Sequence, residues 1–180
     1  MRRSAPVLAV LLVVAPGCDS ERVDPMDTFA SAACASLQTW IDAIEDETVR
    51  LSRAVTPLPD ASDRVEHYRV FATAVDLRTW DLQRQLRRLA PSHGDAGAAA
   101  DALLTALERS RQQTQELIDL AASFPETDDD PEPLVSRISS LFIRLEKVFA
   151  FPNRARDDLA ERHDAFIDVP ACRDYVNPVS

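Results

Sequence analysis

The chain has 180 residues, 46% of them hydrophobic and 28% charged, which is enough apolar material for one domain with a buried core. Its net charge is −10, and becomes −12 once residues 1–17, with Arg2 and Arg3, are set aside; that sign repels nucleic acid and anionic membrane surfaces, so DNA or RNA is not expected as a partner. Only three glycines occur and no GxSxG, P-loop, GxGxxG or SxxK pattern, so nothing argues for catalysis and the chain is not expected to be an enzyme.

Arg2 and Arg3 open the chain and are followed by an apolar stretch, Ala5–Ala15 (APVLAVLLVVA). That stretch is too short to cross a bilayer as a helix and has the length of the apolar part of a secretory signal. Pro16 and Gly17 then lead into Cys18. The run resembles the lipobox of bacterial lipoproteins, in which an aliphatic residue, a small residue and Gly or Ala precede a cysteine. Gly17 and Cys18 match that pattern, and Ala15 and Pro16 stand where Leu with Ala or Ser is commonest. The resemblance covers about the first twenty residues. It implies that residues 1–17 are a signal peptide removed ahead of Cys18. It also implies that Cys18 carries a diacylglyceryl thioether and an acylated amine (palmitate chemistry), holding the protein on the extracytoplasmic side of a cell membrane. Two or more acyl chains anchor stably where one does not. The polar residues 18–26, with Pro25 among them, read as a tether, and 27–180 as the folded domain.

Four segments with helical periodicity follow. The first runs from about Asp27 to Ala54, with Phe29, Ala33, Leu37, Trp40, Ile41, Ile44 and Leu51 on one face. Thr56–Asp60 (TPLPD) ends it, and Asp60 is positioned to cap the second, from about Ala61 to Leu89. Its inward residues are Val65, Tyr68, Ala72, Val75, Thr79, Leu82, Leu86 and Leu89. After Pro91–Asp95 (PSHGD) the third runs from about Ala96 to Phe124 along Ala100, Leu103, Leu107, Ser110, Thr114, Leu117 and Ala121. An acidic loop, Glu126–Pro133, separates it from the fourth, from about Leu134 to Asp168. That segment has a first face of Leu134, Ile138, Leu141, Phe142, Leu145 and Val148; Pro152 is expected to kink or split it before Leu159, Phe166 and Val169 resume the pattern. No alternating strand pattern appears.

These segments read as an all-α, up-down-up-down four-helix bundle behind a signal peptide and tether, with an extended two-helix arm forming a dimer as the competing arrangement. If Cys18 bears lipid, Cys34 and Cys172 remain as an even pair in an exported protein, which predicts a disulfide; two buried free thiols are the alternative. The bundle topology brings the start of the first helix to the finish of the fourth, so the pair fits that end, beside the tether, with the acidic loop at the far end.

Candidate chemistry is sparse. His67, His93 and His163 form no HxxxH, HExxH or ExxH pattern, and a haem or metal site from His67 or His163 on different helices is the less favoured reading against ordinary boundary histidines. Asp128, Asp129, Asp130 and Glu132 offer carboxylates for calcium, but the EF-hand spacing and glycine are absent and a solvated loop is preferred. Arg84, Arg87 and Arg88 suit the negative end of the second helix. Trp40 belongs to the core rhythm, whereas Trp80 lies one residue off it; packing at the bundle edge is the safer reading for Trp80, and contact with a partner or ligand is the other. In layout the whole chain is similar to small helix-rich lipoproteins of GC-rich bacteria, which implies an address and no activity. The expected function is a non-enzymatic, membrane-anchored module that binds an envelope protein, without a cofactor; the alternative is a bundle that binds a small ligand, metal or haem.

Overall fold

Asp24 starts the first helix as a carboxylate ahead of proline should: its side chain accepts a 2.8 Å hydrogen bond from the Met26 amide, and Pro25 sits where no helical amide is needed. The structure is a computed structural model that describes residues 24–56, 61–123, 136, 149–170 and 172. Helix α1 spans Pro25–Val55, α2 Ala61–Leu89 and α3 Gly94–Ala122. Helical residues 149–160 are α4, and α5 is the short Ala165–Asp168. The fold is all-α, with no strand among the described residues.

The bounds differ from the sequence reading in three places. Helix α1 starts inside the expected tether, because Asp24 and Pro25 form a complete helix start. Helix α3 starts at Gly94, ahead of Ala96: Gly94 has φ 76°, a conformation that side-chain-bearing residues rarely adopt, and it turns the chain directly into the helix. The fourth segment is not split at Pro152, which lies buried within the unbroken run 149–160. The break falls instead at 161–164. There the His163 amide still bonds to the Leu159 carbonyl at 2.8 Å, while the Phe166 and Ile167 amides reach back only three residues, to His163 and Asp164. This tighter turn restarts the chain as α5. Asp60, Phe124, the acidic loop and the face from Leu134 to Val148 lie outside the described residues.

Cross-helix contacts give the directions. Trp40 of α1 meets Thr79 of α2, while Asp76 and Gln83 of α2 meet Arg111 and Glu108 of α3. The start of α2 packs on the end of α3 through Val65 and Ala121. Phe29 and Trp40 of α1 face Phe166 and Phe149, so the chain from α4 to α5 runs back along α1. Helix α2 is therefore antiparallel to α1 and to α3, and each of these three, at 29–31 residues, is about 45 Å long.

One core cluster joins all five elements and Cys172. It mixes bulky residues (Phe29, Leu37, Leu86, Leu103, Leu107, Leu117, Leu159, Phe166) with small ones (Ala30, Ala33, Ala72, Ala99, Ala100) that let the helix axes approach closely. Of the expected inward residues, Ile41, Leu51, Tyr68 and Val169 are half-buried, and Leu89, the last residue of α2, is exposed.

The seam between α2 and α3 is polar at its centre. Thr79, Ser110 and Thr114 are fully buried, and each hydroxyl donates to a carbonyl one turn back in its own helix, so burial strands no donor. Gln83, also fully buried, donates to Glu108 at 3.0 Å and accepts from Arg111 at 3.4 Å. Arg111 grips Asp76 through two nitrogens at 2.9 and 3.2 Å. That hydrogen-bonded carboxylate holds the Arg111 guanidinium above its ordinary range, against the opposing effect of partial burial. Such a network specifies register more than it adds stability. Asp76→Ala is expected to cost about 1–2 kcal/mol, because it leaves Arg111 without its fork partner in a half-dry seam; urea unfolding of the variant against the wild type measures it, and an unchanged midpoint would show that the pair is ornamental.

Candidate functional site

The two tryptophans separate cleanly. Trp40 is buried at 4% exposure; its ring Nε1–H donates to Thr79 Oγ1 at 3.2 Å, and its ring lies 6.2 Å from that of Phe149. It is a core residue with its polar atom satisfied. Trp80, one position on from Thr79, points away from that seam and is 38% exposed. The Arg84 guanidinium stacks on its face, 4.5 Å from the ring centre. Val70 and Leu77 lie on the same side of α2, 53% and 56% exposed. Steps of seven and three residues align these three as a second apolar stripe on the side of α2 away from Ala72, Val75 and Thr79. The sequence reading found Trp80 and not Val70 or Leu77, although their spacing was there to be read once Trp80 was set apart from the core. The stripe runs toward Arg84, Arg87 and Arg88, all exposed on the last turns of the helix.

A groove of about 550 Å³ lies between α1 and α4, with Trp40, Ile41, Ile44, Val49 and Phe149 as its apolar lining and Glu45, Thr48 and Asn153 as its polar edge. An open cavity of about 530 Å³ lies at the end where α1 and α3 begin and α4 gives way to α5. There Asp24, Asp27, Asp95 and Asp164 face His93, His163 and Arg162. This brings together two histidines that the sequence left separate. His67 is in the first half of α2, near Val65 and Tyr68, toward the opposite end. Among the described residues, no group of three or more His, Cys, Asp or Glu is placed to hold a metal ion.

Cys34 and Cys172 stand in disulfide contact, with Cα atoms 5.1 Å apart. Both are fully buried, and the Cys172 amide bonds to the Val169 carbonyl at 2.9 Å, so the chain just past α5 is held against the first turns of α1. Arg156, also buried, bonds through two nitrogens to Asp157 at 3.1 and 2.6 Å, a contact between neighbours that periodicity alone does not reveal. On the exposed side of α2, Arg69 forks onto Glu66 and holds that carboxyl below its usual range. Cys18 and the acidic residues Asp128, Asp129, Asp130 and Glu132 lie outside the described residues. No helix among the described residues is long and apolar enough to cross a membrane.

Compared with protein-family models, curated proteins and solved structures, the chain matches none.

Proposed function

We propose that this is a lipid-anchored, extracytoplasmic helical protein that acts by binding another protein through the outer face of α2, and not by catalysis. In this reading Cys18 carries the lipid, residues 19–23 are the tether, and the helices close as an up-down-up-down four-helix bundle with its Cys34–Cys172 end next to the membrane. The observation that supports partner binding is the Trp80–Arg84 stack beside exposed Val70 and Leu77. Tryptophan and arginine are enriched at the energetic centres of protein interfaces, and Val70, Leu77 and Trp80 lie on α2 away from its core face. Support for the anchor comes from the sequence around Cys18 alone.

Two measurements test the two halves. Mass spectrometry of the protein isolated from its membrane should find Cys18 as the first residue, with the added mass of its acyl chains, and Cys18→Ser should abolish that modification. An intact leader or a bare thiol in the membrane-bound protein would end the anchor reading. A photo-crosslinking residue at Leu77 should trap a protein in intact cells; absence of any trapped product would remove the binding face. The competing ligand-binding reading rests on the end cavity. It is the weaker one because four aspartates opposed to Arg162 and two histidines match no single class of ligand.

A further inference from the structure

We infer that the α1–α4 groove is a docking site for the chain's own residues 173–180, laid along α1 from Cys172 onward. The inference is independent of the partner reading above, and it takes the groove out of the surfaces open to a partner. Residues 173–180 lie outside the described ones; the support comes from the direction, side and reach of the chain that enters them, and from their composition. Direction comes first. The Phe166 ring meets that of Phe29, and six residues later Cys172 is bonded to Cys34. The chain that ran back along α1 has therefore turned after α4 and climbs α1 again. Continued in the same sense, it passes from Cys34 toward Trp40 and Val49, which is where the groove lies.

Side agrees with direction. Ile41, Glu45 and Thr48 follow Cys34 at steps of seven, four and three, so these groove residues share its face of α1. The bond between the sulfurs thus delivers the chain onto the strip of helix that walls the groove, with no need to cross over α1. Reach agrees as well. From Cys34, α1 rises about 10 Å to Ile41 and about 21 Å to Thr48. Extended chain leaving Cys172 covers those distances in about three and about six or seven residues. Tyr175 then stands level with Ile41 and with the Trp40–Phe149 pair, and Pro178 and Val179 level with Thr48 and Val49.

Composition is the last support. Residues 175–180 (YVNPVS) carry no charged side chain, so nothing ionic is laid on the apolar lining. Tyr175, Val176 and Val179 offer aromatic and aliphatic surface to Trp40, Ile41, Ile44, Val49 and Phe149, while Glu45, Thr48 and Asn153 at the edge suit a phenol and an amide. Pro178 holds Asn177 to extended backbone, the form the reach requires. Attachment at Cys172 gives these residues an effective concentration of about millimolar at the groove, so a few modest contacts suffice and a free competitor starts at a disadvantage.

A photo-crosslinking residue in place of Tyr175, in the full chain purified in mild detergent, tests this. The product should lie within one chain and map by peptide mass spectrometry to residues 40–49 or to 149–153. A product joined to a second copy or to another protein, a product mapped elsewhere on the chain, or no product at all would overturn the inference. Hydrogen exchange gives a second readout. Val176→Glu with Val179→Glu keeps Cys172 and its bond, and should speed exchange across 41–49 at least about fivefold while leaving 99–107 in the core of α3 unchanged. Unaltered exchange across 41–49 would equally overturn it.

Discussion

Replacing Cys34 and Cys172 together by alanine should lower the stability of the oxidised protein by about 2–5 kcal/mol. The bond spans a sequence separation of 138, and chain-entropy reasoning for so long a loop gives about 5 kcal/mol as the upper figure. The measured value should fall below it, because residual structure in the unfolded chain already removes part of the freedom that the bond restricts. Both cysteines are at 0% exposure, so alanine leaves two small voids and no stranded polar group. Serine at the same positions should cost more, since its hydroxyl would be buried, although at position 172 the Ala30 carbonyl oxygen, 3.8 Å from the sulfur, lies near enough to accept from that hydroxyl. Guanidinium unfolding with and without reductant is the measurement. The wild type should lose most of the difference when reduced, and the double alanine variant should not respond. A reductant-insensitive wild type would mean that the two sulfurs are not bonded in solution.

The second large effect belongs to Phe166. It is the one deeply buried residue of α5, at 1% exposure, and its ring meets Phe29 edge to face at 6.4 Å. Phe166→Ala should cost about 3–5 kcal/mol, the usual loss for emptying an aromatic site in a packed core. Combining it with Phe29→Ala should reveal a coupling of about 0.5–1.5 kcal/mol, since the second truncation removes a contact that is already gone. A loss below about 1 kcal/mol for Phe166→Ala would show that α5 is only loosely attached, and would also weaken the account of why the chain turns at 161–164. The two experiments are linked: both probe whether the segment after α4 is part of the domain core or an appendage held by a single bond.

The first three helices were legible in the sequence because each presents a long inward face at steps of three and four, bounded by proline. The composition of the faces was legible too, down to Thr79, Ser110 and Thr114, whose hydroxyls satisfy themselves within the helix and so behave as small core residues. Gln83 was not legible. Its polar atoms are satisfied by Glu108 and Arg111, 25 and 28 positions away, and a local pattern reports nothing about such partners. The turn at 161–164 escaped for a related reason. Glu161-Arg162-His163-Asp164 contains neither glycine nor proline, and Leu159 and Phe166, seven apart, keep helical rhythm across it. Pro152 drew attention instead, yet the described helical residues continue from 149 through it to 160. The meeting of His93 and His163 also depends on tertiary arrangement, whereas Val70 and Leu77 share α2 with Trp80 and their spacing could have been read. Trp80, one residue out of step with the core, had left the trace.

The bond between Cys34 and Cys172 has a further consequence. It makes the greater part of the domain a covalently closed ring, with most of α1, all of α2, α3, α4 and α5, and every connection between the helices inside it. A single cut anywhere on that ring opens it without dividing the molecule. The two ends created by the cut stay attached through the sulfurs, and the long helices hold them near their original positions. Two separate cuts within the ring are required to release any piece of it. Each connecting segment inside the ring thereby changes from a point of failure into a place where damage is survivable.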